Sequence, residues 1–196
     1  MELRERKLIA LLGASSAARP MPLLCFIGRH GSGKSTIGAK LAEQGYRHIS
    51  VGLLRRLAQS KQYPSDVPVL LISAMRRERA GALLSPQTAQ RLVEYACSSS
   101  LTVLDGFPAD PEQVKMLPTD TIFCVVWTPP ALRSERLEGR AATTKRQWTP
   151  GRHSEREANL PRLISHVRSS HRCLFMRNVG HIDFVVADLQ RKIARS

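Results

Sequence analysis

The chain has 196 residues, of which 42% are hydrophobic, the size of one domain with a sizeable core. Thirty Lys and Arg against sixteen Asp and Glu leave a formal charge of +14, which attracts polyanions such as nucleotides or nucleic acid. No apolar stretch reaches membrane-span length, no secretory cleavage pattern is present, and the four cysteines lack zinc spacing. These features predict a soluble, cytoplasmic, monomeric protein with its cysteines buried as small hydrophobes.

Residues 1–20 form a basic, partly amphipathic leader ending at Ala18-Arg19-Pro20, just before a second methionine, Met21. They read as a non-catalytic extension or an upstream start. An organellar presequence is disfavoured by Glu2 and Glu5. The domain proper is expected over 21–196. Leu23–Ile27 has strand character and runs straight into Gly28-Arg29-His30-Gly31-Ser32-Gly33-Lys34-Ser35, which fits the phosphate-loop pattern G-x-x-x-x-G-K-[ST]. Its glycines let successive N–H groups turn toward phosphate oxygens, the next helix presents its positive end, and Lys34 adds a mobile cation. Gly28, His30, Gly31, Ser32, Gly33, Lys34, Ser35 and Thr36 are therefore the candidate nucleotide-phosphate ligands, with the Ser35 hydroxyl directed at Mg²⁺.

Ser35–Glu43 reads as a helix, Arg47–Ser50 as a strand and Val51–Ser60 as a second helix. The segment 62–66 breaks the chain, Val67–Ala80 is helical until Gly81, and Ser85-Pro86 opens a helix to about Cys97. Leu101–Leu104 is a buried strand ending in Asp105-Gly106-Phe107-Pro108, and Thr121–Trp127 is another. A helix over Ala131–Arg140 leads into a loop over 141–154. A helical stretch from Glu155, interrupted near Pro161, continues to about Arg172. Ile182–Phe184 is read as a last strand and Val185–Ile193 as the closing helix. Such alternation predicts an α/β fold, a parallel sheet with helices on both faces, whose ligands gather beyond the carboxyl ends of the strands.

Asp105 stands where a buried strand stops, placed to accept hydrogen bonds from magnesium-bound water. Arg136 and Arg140 are four apart and share a helical face, with Arg56 earlier and Arg152 and Arg162 later. Each arginine alone is ordinary on a solvated surface. Converging cations are what phosphoryl transfer between two anions requires.

Gly28 to Thr36, His48 to Arg56, Gly81 to Ser85, Leu104 to Pro108 with Gln113, and Arg136 to Arg140 come in an order and spacing that resembles adenylate kinase and related nucleoside monophosphate kinases, from about Met21 to Ile193. The resemblance implies a phosphate-loop fold with an acceptor-binding insert at about 50–85 and a short lid at about 141–154. It implies that ATP phosphates lie on Gly28 to Ser35 and the acceptor's phosphate on Arg56. Leu83, Leu84 and Gly106 would belong to the acceptor side, and the Gln113 amide would pair with an adenine edge. Lys34, Asp105, Arg136, Arg140, Arg152 and Arg162 would act on the transferring group, with Mg²⁺ at Ser35 and Asp105. AMP is the simplest acceptor so implied.

Two positions depart from the family pattern. Ala109 stands where an acceptor-gripping arginine follows Asp-Gly-Phe-Pro, and Val51 replaces a threonine. One lost guanidinium–phosphate contact is worth roughly 1.5–3 kcal/mol, about ten- to a hundredfold in binding. Two further readings therefore stand beside the first: a kinase of another small acceptor, and a nucleotide-regulated nucleic-acid-binding protein suggested by the +14 charge.

Overall fold

The computed structural model describes residues 21–79, 81–144 and 150–195, without the side chains of residues 143–155. The extension expected over 1–20 lies outside the described residues. Five parallel strands form one sheet: β1 (Leu24–Ile27), β2 (Arg47–Ser50), β3 (Thr102–Asp105), β4 (Ile122–Trp127) and β5 (Arg172–Arg177), in the order β2-β3-β1-β4-β5. Helices follow or join them: α1 (Lys34–Ala42), α2 (Val51–Gln59), α3 (Val69–Arg77), α4 (Pro86–Cys97), α5 (Pro111–Val114), α6 (Pro130–Thr144), α7 (Pro150–Ser170) and α8 (Ile182–Ala194).

Central strands covered on both faces need apolar residues throughout, and β1 is buried at all four positions. Ile37 and Leu41 of α1 join Val185, Val186 and Leu189 of α8 over one face of the sheet. Leu54 of α2, Leu92 of α4, and Leu163 and Val167 of α7 close the other. Three helices start where side chains supply caps: Ser50 accepts from the Leu53 N–H, Ser85 from Thr88 and Asp110 from Gln113. The chain visits β2 and β3 on one side of β1 and then crosses to β4 and β5. That reversal opens a crevice at the carboxyl end of β1, the place where such sheets bind ligands.

Five expectations are corrected. Leu101 has φ 55°, so it cannot be extended and β3 begins at Thr102. The last strand is not Ile182–Phe184, which is the first turn of α8, with Asp183 favourably placed at its positive end. It is β5, missed because no glycine or proline separates it from the end of α7 and its apolar residues extend the helical pattern. The expected interruption at Pro161 does not occur: α7 runs through it, although the proline removes the donor to the Glu157 carbonyl. The loop expected over 141–154 is helical at 141–144 and again from Pro150; residues 145–149 lie outside the described residues. Cys25 and Cys124 are buried as expected, but Cys97 is exposed. Among the described residues no helix is long and apolar enough to cross a membrane.

Candidate phosphate-binding cleft

The cleft has a volume of about 550 Å³ and opens where β1 passes into α1. Gly31 and Gly33 take φ of 75° and 89°, conformations that only glycine adopts without strain. A Cβ on Gly33 would also strike the Asn178 side chain. Unlike α2, α4 and α5, α1 starts without a side-chain cap, so its first N–H groups and the positive end of its dipole face the cleft. Lys34 Nζ lies 2.8 Å from the carbonyl oxygens of both Gly28 and Arg29, and 3.3 Å from Ser32 Oγ. Burial lowers its pKa, against the opposing pull of the Asp105 and Glu157 carboxylates.

Asp105 comes to this point because β3 pairs with β1, placing it level with Phe26. Its carboxylate is 4% exposed and accepts a 2.5 Å hydrogen bond from Ser35 Oγ. A hydroxyl and a buried carboxylate oxygen side by side at the foot of the phosphate loop are a donor set suited to a hard cation such as Mg²⁺.

Arg56, Gly106, Arg136 and Arg140 line the same cleft together with Ala109. Arg136 is steered there by donation to Thr128 Oγ1 and to the Asn178 carbonyl, both at 3.4 Å. Thr128 and Asn178 escaped sequence reasoning. Asn178 Nδ2 donates to the Ser32 carbonyl at 2.8 Å, and the Thr128 hydroxyl lies 3.1 Å from the same oxygen. Both are buried and brace the loop from behind. The phosphate-loop pattern gives no sign of them, because they lie 146 and 96 residues away.

Neighbouring residues of α7 reach opposite walls. Glu157 accepts from the His30 backbone N–H at 3.0 Å and pairs with Arg133 at 3.3 Å. Arg156 donates to the Ala82 carbonyl at 3.1 Å, an oxygen that also accepts from Arg55 at 2.8 Å. Burial lowers the Arg55 pKa, partly offset by Glu78.

Several expected site residues stand elsewhere. Arg162 is exposed, close enough to Glu112 to influence it electrostatically, and does not line the cleft. Arg156, one turn and a half earlier, does. The side chain of Arg152 lies outside the described residues. Gln113 was expected to read an adenine, but it is buried and its amide is engaged: Oε1 accepts from the Ala109 N–H at 2.8 Å and Nε2 donates to the Leu84 carbonyl at 3.5 Å. Neither Leu83 nor Leu84 lines the cleft. Ser32 is buried in the loop, with its carbonyl held by Asn178.

No protein-family model matches the chain, and no curated protein does. Among solved structures it is similar to a gluconokinase from Sinorhizobium meliloti 1021, with TM-score 0.53 and 19% identity over 90% of this chain and 93% of that one. That likeness concerns the fold and is not specific to the adenylate kinases. The parallel five-stranded sheet with helices on both faces is an α/β fold similar to that of this gluconokinase.

Proposed function

We propose that the protein transfers the γ-phosphoryl group of ATP to a small acceptor bearing an acidic group. The observation that carries this reading is the meeting of Lys34, the Ser35–Asp105 pair, Arg56, Arg136 and Arg140 in one cleft at the uncapped end of α1. Ser35 and Asp105 would hold Mg²⁺, which supplies charge neutralisation between the phosphates. The loop N–H groups and Lys34 bind the donor's phosphates, for which Lys34 exchanges its loop carbonyls for phosphate oxygens. Arg136 and Arg140 offset negative charge on the group in transit, a task that needs positioned cations rather than covalent chemistry. Arg156 takes the place expected of Arg162.

On the acceptor side Arg56 supplies the cation. Ala109 leaves the second arginine of a nucleotide-phosphate grip absent, and the engaged Gln113 amide leaves no adenine reader at that position. These two features favour an acceptor smaller than AMP, and a sugar acid, the class for which the fold neighbour is named, meets that description. ADP release from Mg-ATP, measured with gluconate, AMP, GMP, CMP and UMP in turn, tests the choice. The expected result is faster release with the sugar acid than with any monophosphate; turnover confined to AMP would reinstate the nucleotide reading.

A further inference from the structure

Beside the cleft, and sharing Gly28 and Leu160 with it, lies a second cavity of about 810 Å³ that the proposed phosphoryl transfer does not use. α7 packs on β5 but leaves part of that strand's face open. Leu163 and Val167 are buried against the sheet, but Phe175 of β5, in register with Val125 of β4, stays 59% exposed. Trp127, at the end of β4, is 40% exposed on the same wall, and Ile164 and Pro161 of α7 form the opposite one. Large aromatic faces open to water inside a concave surface mark a binding site more often than a bare patch.

The charge around this cavity is one-sided. Arg29, Arg133 and Arg168 line it, and among the described residues none that lines it is acidic. Only Arg133 is in an ion pair, with Glu157; neither Arg29 nor Arg168 forms one among the described residues. The segment 1–20 is a poor occupant, since Arg4, Arg6, Lys7 and Arg19 outnumber Glu2 and Glu5 and would meet like charge.

We infer that this cavity binds a small organic anion with a flat apolar body, the ring against Trp127 and Phe175 and the anionic group toward Arg168 and Arg29. The site is separate from the nucleotide cleft, with the phosphate loop as the wall between them: Gly28 and Leu160 line both. It stands whether or not the kinase reading holds.

Calorimetric titration of the full chain with 1-naphthoate and with its neutral analogue 1-naphthamide tests the inference. Naphthoate is expected to bind once per chain and about tenfold more tightly than the amide. Arg168→Glu, on an exposed helical position, should weaken naphthoate about tenfold and leave naphthamide unchanged, whereas Phe175→Ala should weaken both. Saturating Mg-ATP should leave naphthoate binding in place, and so should Lys34→Ala, so that loss of nucleotide binding does not count against the second site. Equal affinity for the two probes, indifference to both variants, or competitive displacement by Mg-ATP would overturn the proposal. Tightening of naphthoate binding by more than about tenfold on removal of residues 1–20 would identify that segment as the occupant instead, and would overturn it too.

Discussion

Lys34 in this structure is turned onto its own loop, bonded to the Gly28 and Arg29 carbonyls rather than extended into the cleft. On the proposed reading, replacing it with alanine removes the cation that would turn to the donor phosphates, and kcat/KM for ATP is expected to fall about 10²- to 10³-fold, measured as ADP release. His48 gives a prediction of a different kind. It packs on Gly38, where a Cβ would collide with the imidazole, and its Nε2 is buried without a hydrogen-bond partner. Burial lowers its pKa, with Asp105 pulling the other way. A folded-state pKa below the unfolded one means the neutral ring is favoured by folding. Its contribution is therefore fully present above the unfolded pKa and lost as pH falls through the range below about 6.5. Melting temperatures between pH 7.5 and 5 should fall more steeply in wild type than in His48→Gln; equal slopes would contradict this.

Among the elements, the phosphate loop was legible because everything that defines it is local: an apolar strand, four spaced residues between glycines, a lysine and a hydroxyl. Its support was not. Asn178 and Thr128 meet Ser32 only because β4 pairs with β1 and β5 with β4, and Glu157 reaches His30 across 127 residues. Gln113 and Arg162 fit a family pattern at the level of spacing, but one is drawn inward by the Ala109 N–H and the other is turned outward on α7. Spacing specifies a helical face; it does not specify what that face meets. The structural role of Asn178 can be checked by Asn178→Ala, which leaves the Ser32 carbonyl with one weaker donor. A loss of about 1–3 kcal/mol in stability and weaker ATP binding are expected, from thermal melts and titration. Gly38→Ala should also destabilise α1 against β2, by about 1–3 kcal/mol, through the collision with His48.

Over the whole molecule, alternation of strand and helix was sufficient to specify a parallel sheet with the site at its carboxyl edge, since few topologies satisfy right-handed crossovers. The half-covered edge at β5 was not legible, because burial of Phe175 depends on how far α7 reaches across the sheet. A ligand that binds only the folded chain stabilises it by mass action. Mg-ATP at about 100 times its Kd should contribute about 2.7 kcal/mol, a rise of several degrees in Tm for a chain of this size, and Lys34→Ala should lose most of that rise. The most direct test of the central claim follows the phosphorus itself: ³¹P spectra of Mg-ATP with a sugar acid and the protein. Loss of the γ resonance with growth of ADP and a new phosphomonoester signal, abolished in Lys34→Ala, is the result expected. Release of inorganic phosphate alone, or identical spectra from wild type and Lys34→Ala, would contradict transfer to an acceptor.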